Sequence, residues 1–391
     1  MDSPYVLLSA AAFAAWIYLA FFRHDFWRAD QLLPPPSERV DWPSVAAIVP
    51  ARNEEETIGA CVASLAAQDY PGPFVIHVVD DQSSDRTADE ARKAANGHGG
   101  RISVEVIQAP PIESGWAGKL WAVDHGIRNA CRGTQKPDYL WLTDADIVHG
   151  PGVLRALVDK ADRNRLGLDS LMVRLACRSF WERLLVPAFI YFFQMLYPFP
   201  AINDRANRIA GAAGGCALVT REALEAVGGI ATIRSQLIDD CALAMTIKRS
   251  GWPVWVGLAQ ESHSLRGYET LISFWRMVTR SAFVQLRYSN LLLVFTLVGM
   301  SITFLVAPVI VITFPLHGHW LATVLAAGAW ALQAHTYRPT LELYGLSPFR
   351  SLTLPAAALL FMLMTLHSAV DHWRGRGQSW KGRRYAEFFS R

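Results

Sequence analysis

Residues 140–149 read LWLTDADIVH, from Leu140 to His149. An apolar run of this length suits a buried strand, and the acidic pair that closes it falls where such a strand would turn. Asp144 and Asp146 stand at i and i+2, so in extended chain both carboxylates point to one side. They could then face a single point beyond the end of a sheet. Two earlier runs repeat the pattern: VAAIVP (45–50) leads into PARNEE (50–55), and FVIHVVD (74–80) into DDQSSDRT (80–87). Between them Ile58, Cys61, Val62, Leu65 and Ala66 share one helical face, and Asn53 with Glu56 has capping-box spacing. A second helix is expected from about Ala117 to Cys131, with Leu120, Val123 and Ile127 on its apolar face. Strands alternating with helices predict an α/β domain with a mostly parallel sheet, whose ligands bind beyond the carboxyl ends of the strands. The three acidic clusters would converge on one crevice.

The chain has 391 residues, enough for two units or for one domain with a membrane part. Its hydrophobic content of 52% and its 14 Trp lean towards membrane contact, while a net charge of +3 gives no reason to expect nucleic acid. Cys61, Cys131, Cys177, Cys216 and Cys241 form no CxxC pair and are odd in number, so reduced thiols on the cytoplasmic side are expected and a zinc site is not.

Residues 5–22 carry no charge, which predicts a retained membrane anchor, the alternative being a buried core helix. Arg23 and Arg28 follow it, so the N-terminus is expected outside and the next domain in the cytoplasm. Pro34, Pro35, Pro36 and Pro43 mark a stiff linker. Toward the other end, 291–316, 320–336 and 351–370 are apolar enough for membrane segments, and LLVPAFIYFFQMLYPFP (184–200), interrupted by Pro187 and Pro198, is expected as an interfacial helix. Three C-terminal spans would put the basic stretch HWRGRGQSWKGRRY (372–385) outside, against the charge rule. One of the three is therefore expected to be re-entrant or interfacial, 320–336 first because it is the shortest.

A carboxylate pair at a strand end suits a hard cation, Mg²⁺ or Mn²⁺, completed by the oxygens of a nucleotide diphosphate. Asp146 is the expected metal ligand, with Asp144 on the ribose or sharing the metal. A solvated turn explains such a pair taken alone. The order of segments is more specific. IVPARNEEETI, VVDDQSSDRT, GWAGKLWAVDHGI (115–127), LTDADI, GAAGGCALVTREALEAVGG (211–229) and IDDCALAMTIKRSGW (238–252) together resemble family 2 glycosyltransferases over about residues 45–265. That resemblance implies a GT-A fold, a nucleotide-diphospho-sugar transferase domain on the expected sheet, with transmembrane helices before and after it. Within the family the membrane arrangement is similar to that of hopene-associated glycosyltransferases and ceramide glucosyltransferase-like enzymes, and the tail SWKGRRY resembles membrane-bound members.

Carried across residue by residue, the resemblance places Arg52 and Glu54 near the nucleotide, Asp80 and Asp81 near the uracil, and Lys119 by the donor phosphate or sugar. Asp240 takes the place of the catalytic base, with Asp239 where the family usually has Glu. Turn formation and helix capping are the competing readings for Asp80, Asp81, Asp239 and Asp240, and a helix-surface lysine for Lys119. Gly211, Gly214 and Gly215 would let backbone approach sugar or acceptor, a plain flexible loop being the competing reading. His263 is read first as a structural histidine and second as a metal or phosphate contact. FWRMVTRSAF (274–283) stands where processive members carry Q/R-x-x-R-W, but aligning Arg280 leaves Met277 and Ser281 at the flanking positions, which argues against a long-polymer synthase. Arg276, Arg280 and Arg287 are expected at lipid headgroups or diphosphate, or as plain positive-inside flanks.

The resulting division is an anchor at 1–23, a linker at 24–44, the GT-A domain at 45–265, an interfacial helix region at 266–290, membrane segments at 291–370 and a basic cytoplasmic tail at 371–391. The expected activity is that of a metal-dependent, inverting hexosyltransferase in a bacterial inner membrane, multi-pass with its catalytic domain in the cytoplasm. It would move one sugar from a UDP-linked donor to a lipid, hopanoid-related acceptor, without nucleic acid and with protein partners left open. The alternatives are a polyprenyl-phosphate acceptor, which predicts phosphate-binding cations beside Asp240, and an inactive lipid- or nucleotide-binding membrane protein.

Overall fold

The computed structural model describes residues 4–97 and 102–375 and the backbone of 379–380 and 383–384. The chain divides into two compact units, one of residues 30–176, 201–267 and 379–391, the other of 1–29, 177–200 and 268–378. Most of the basic tail lies outside the described residues.

The first unit is an α/β domain. Its strands are β1 (Val45–Ala51), β2 (Phe74–Asp80), β3 (Ser103–Gln108), β4 (Tyr139–Thr143), β5 (Ile147–His149), β6 (Leu168–Arg174), β7 (Cys216–Thr220) and β8 (Val254–Ser264), in the order β3-β2-β1-β4-β7-β6-β8-β5. The β3-β2-β1-β4 part is parallel throughout. Beyond it β7 runs antiparallel to β4 and β6, β8 parallel to β6, and β5 antiparallel to β8. The sheet is thus mixed and mostly parallel, as expected. Every residue of β1 is buried, because both faces of a central parallel strand are covered. Pro50 fits there because the pairing of β1 with β4 ends at Ile48↔Leu142, so its missing N–H falls beyond that ladder. Helix Gly118–Ala130 covers β1 and β2 at close range. A Cβ on Gly126 would lie 2.6 Å from Ile48 Cγ2 and 2.8 Å from Val79 Cγ2.

Two local expectations are corrected in this unit. The helix after β1 begins at Ile58, and Asn53 and Glu56 form no capping box. Asn53 instead adopts a left-handed conformation, φ 51°, and its side chain accepts from Ser84 N at 2.9 Å, so the loop after β2 takes the group a cap would need. The proline-rich stretch is no free spacer either. Leu32 bridges to Leu258, Ser37 N–H and Oγ–H donate to Asp159 at 3.0 and 2.6 Å, and Arg39 pairs with Asp162 at 3.0 Å.

The second unit is helical. Pro4–Phe21, Asn290–Ile312 and Pro348–Trp373 are long and apolar enough to cross a membrane. The helix Trp320–Leu343 is 24 residues long, so shortness does not set it apart; it carries Arg338 and Glu342 and buries Gln333, Thr336 and Thr340. The segment expected as an interfacial helix is indeed helical and is packed inside this unit. Phe180–Leu196 is a helix with Pro187 inside it, opened by a Ser179–Glu182 capping box, and it buries Leu185, Val186, Ile190, Tyr191 and Phe192 in the core of this unit. Helix 290–312 widens to a π-turn over Ser301–Leu305, just before Pro308. Proline has no N–H to offer the preceding turn, and Thr303 O takes the Trp16 indole N–H at 2.6 Å instead. All five cysteines are free, with Cys61, Cys216 and Cys241 buried.

Candidate active site

The carboxyl ends of β1, β2 and β4 open on the same side of the parallel sheet, and their loops carry the acidic clusters. The loops after β1 and β2 are laced together. Arg52 donates to the carbonyls of Asp81 and, at 3.0 Å, of Gln82, with its Nη1 4.0 Å from Asp81 Oδ2. Asp80 accepts from Ser83 N at 3.1 Å and from the Ser83 hydroxyl, a local turn bond. Both aspartates are buried, and burial of charge at a loop is costly without such partners.

A second group forms where the loop after β4 meets two helix starts. Lys119, in the first turn of helix Gly118–Ala130, pairs with Asp144 Oδ1 at 2.8 Å and Asp239 Oδ2 at 3.3 Å. Asp239 and Asp240 are themselves the first residues of helix Asp239–Arg249, where negative charge is favoured. Asp240 accepts from Gly214 N at 2.8 Å and from Cys241 N at 2.7 Å. Gly214 lies between the two charges: a Cβ there would stand 3.2 Å from Lys119 Nζ and 3.4 Å from Asp240 Oδ2. These residues line one pocket whose remaining wall is apolar, including Leu120, Ala212, Ile230, Ile233 and Leu243.

Electrostatics follow from this packing. Desolvation pushes the Asp240 carboxyl up to about 6, the charge of Asp239 adds to it, and Lys119 with the two N–H donors opposes it. Desolvation also raises Asp144, although Lys119 beside it favours the carboxylate. For Lys119, burial works against the ammonium but the two aspartates outweigh it and hold it charged. Beneath the loop His149 is neutral, its pKa lowered by burial to about 3. Thr143 gives its proton to Gly215 O at 3.0 Å, so His149 Nε2–H donates to Thr143 Oγ1 at 2.8 Å and Nδ1 accepts from the Ser262 hydroxyl at 2.9 Å.

The third group contains a residue that the sequence reading missed. Arg266, two residues past β8, sets Nη2 2.7 Å from both oxygens of Glu54 and Nε 3.1 Å from Asp146 Oδ2. Ser264 Oγ also donates to Asp146 Oδ2 at 3.2 Å, and Leu265 N to Asp146 O at 2.8 Å. The end of β8 thereby joins the ends of β1 and β4. The signal was available in principle, since Arg266 is a polar residue just beyond a strand end, but β8 had not been read as a strand. His263 sits on β8 opposite Val148 and is exposed. Arg280 caps helix Leu271–Thr279 in the helical unit and is exposed there.

Asp144 and Asp146 are carboxylates of the kind a hard divalent cation uses. Such ions use one or two protein carboxylates and fill their shell with diphosphate oxygens and water. Among the described residues no group of three His, Cys, Asp or Glu forms a closed metal cage. Each of the two carboxylates is matched instead by an internal cation, Lys119 or Arg266, so positive charge already belongs at both.

A β3-β2-β1-β4 parallel half that ends in acidic loops and continues into antiparallel strands is a sheet of GT-A type. Residues 46–228 match the sequence model of Glycosyl transferase family 2. An N-acetylglucosaminyltransferase of Mesorhizobium japonicum is 28% identical over 193 residues, 49% of this chain and 42% of its own length. A beta-monoglucosyldiacylglycerol synthase of Synechocystis sp. is 28% identical over 267 residues, 65% of this chain and 50% of its own. The chain thus spans half or less of these curated relatives. The fold is shared with mannosyltransferase PcManGT from Pyrobaculum calidifontis, solved in complex with GDP-Man and Mn2+, at a TM-score of 0.52 and 20% identity over 93% of this chain and 98% of that one.

Proposed function

We propose that the protein is a membrane-bound, inverting glycosyltransferase that moves one sugar from a nucleotide diphosphate donor, UDP-linked, to a lipid hydroxyl. The observation that carries this reading is the placement of Asp240, a carboxylate with a raised pKa held by Gly214 and Cys241 N–H groups at the wall of an apolar pocket that also holds Lys119 and Asp144.

In this reading the acceptor hydroxyl gives its proton to Asp240 as its oxygen bonds to the anomeric carbon, and the bond from that carbon to the diphosphate breaks. Attack and departure on opposite faces invert the carbon. A pKa of about 6 leaves Asp240 ionised at neutral pH and basic enough to take the proton. Asp144 and Asp146 would hold Mg²⁺ or Mn²⁺, which would supply positive charge against the departing diphosphate. Lys119, kept charged by its neighbours, orients Asp144 and faces the same pocket. Arg52, Asp80 and Asp81 frame the nucleotide side, and Glu54 orients Arg266.

A neutral lipid alcohol suits Asp240 better than a polyprenyl phosphate, because Lys119, the cation that lines this pocket among the described residues, is already engaged by two aspartates. The glycolipid named in the Synechocystis relative and the three long apolar helices support a lipid acceptor. The finer reading, a hopanoid alcohol at a bacterial inner membrane with the catalytic unit in the cytoplasm, rests on the sequence resemblance. Membranes holding the protein or Asp240→Asn, given Mn²⁺, a panel of nucleotide sugars and a hopanoid-containing lipid extract, test it by mass spectrometry. A glycolipid made by the unaltered protein alone supports the reading; equal product from both removes Asp240 as the base.

A further inference from the structure

We propose that Arg266 is a latch on the cation site: it holds Asp146 while the site lacks donor, and releases it when a nucleotide diphosphate arrives. The inference rests on Asp146 being the metal carboxylate. Its own support is geometric. One guanidinium spans two carboxylates that lie 212 and 120 residues away in sequence, Nη2 reaching Glu54 and Nε reaching Asp146. The arm that carries it is short and tied down. Arg266 N donates to Ser264 Oγ at 3.2 Å, Ser264 Oγ donates to Asp146, and Leu265 N donates to Asp146 O. The head of the side chain is therefore aimed at Asp146 by two contacts to that residue and a third to Ser264, which itself holds it.

A divalent cation on Asp146 would sit about 2 Å from its oxygen, and the guanidinium Nε is already 3.1 Å from Oδ2. Two positive groups that close repel each other across a half-buried site, where screening is weak. The cation alone therefore meets a competitor. A diphosphate changes the balance because its oxygens ligate the cation and offer the planar guanidinium a new anionic partner. Cation and nucleotide then help each other bind, and by linkage each tightens the other by the same factor. Glu54 gives the displaced arginine a retained anchor, since both of its oxygens stay on Nη2 when Nε lets go. Arg266 is a positioning residue in this account, acting through Asp146.

The test measures Mn²⁺ binding to the purified full-length protein in detergent, from the electron paramagnetic resonance signal of free Mn²⁺, with and without UDP. The unaltered protein is expected to bind Mn²⁺ weakly alone and at least tenfold more tightly with UDP. Arg266→Gln should bind Mn²⁺ alone about fivefold or more tighter than the unaltered protein, and should lose the same factor from the UDP effect. Arg266→Lys, charged but unable to span both carboxylates, should fall between them; it also serves if the glutamine variant does not fold. Mn²⁺ affinity in folded variants that is unchanged or weaker without UDP overturns the latch. No Mn²⁺ binding by the unaltered protein even with UDP overturns both the latch and the cation site beneath it, whereas binding without the gain overturns the latch alone.

Discussion

Replacing Asp240 by Asn keeps the side chain's shape and removes its ability to take a proton. The N–H groups of Gly214 and Cys241 that point at it can still find the amide oxygen, so helix Asp239–Arg249 should keep its start. A positioned general base contributes about 10²–10⁴-fold, and that is the expected loss in turnover. The pH profile gives a sharper number. With a pKa of about 6, Asp240 is ionised in only about one molecule in eleven at pH 5, so kcat/KM for the donor should fall there to roughly a tenth of its plateau. An ordinary aspartate would remain mostly ionised at that pH. Asp239→Asn removes a neighbouring charge that raises Asp240, so the acid limb should move to lower pH. The assay is initial-rate transfer at subsaturating donor from pH 4.5 to 8, with far-ultraviolet circular dichroism at each pH as a control for folding. A flat profile down to pH 5, or a limb unmoved in Asp239→Asn, would refute the assignment of the base and the account of its pKa.

Three further outcomes follow from the same contacts. Lys119→Met leaves Asp144 and Asp239 without their cation; charged hydrogen bonds contribute about 1.5–3 kcal/mol, so a loss at the low end of that range in denaturant unfolding is expected together with weaker nucleotide binding. Gly214→Ala sets a methyl group 3.2 Å from Lys119 Nζ, which must give by a few tenths of an ångström; turnover should drop while the thermal midpoint stays within a few degrees. His149 is neutral when folded, with a pKa of about 3 against 6.5 when unfolded, so the unfolded chain binds more protons between those values and stability falls as pH drops through that window. His149→Gln should flatten that dependence in thermal unfolding measured from pH 7 to 4.

What the sequence made legible was set by burial on both faces of a strand. β1, β2 and β4 are apolar runs that stop at Asp or Arg, so their positions and the site at their ends could be read directly. The antiparallel part could not. β5 is three residues long, and β8 runs from apolar Val254 into Gln260, Glu261, Ser262 and His263, so no single period marks it. Arg266 went unread for that reason. The burial of Phe180–Leu196 went unread because Pro187 and its aromatics resemble a surface helix, whereas the Ser179–Glu182 spacing that starts a regular helix was present in the sequence. Asn53 shows the opposite failure: its spacing to Glu56 matched a cap, but a loop distant in sequence offered its side chain a better partner.

The most direct measurement is calorimetric titration of UDP into the purified full-length protein, with Mn²⁺ and with a chelator, repeated for Asp146→Asn and Asp240→Asn. The account predicts binding that needs Mn²⁺, is lost in Asp146→Asn and persists in Asp240→Asn, because one carboxylate serves the diphosphate and the other the acceptor. Equal UDP affinity with and without Mn²⁺, or loss of binding in Asp240→Asn with none in Asp146→Asn, would contradict it.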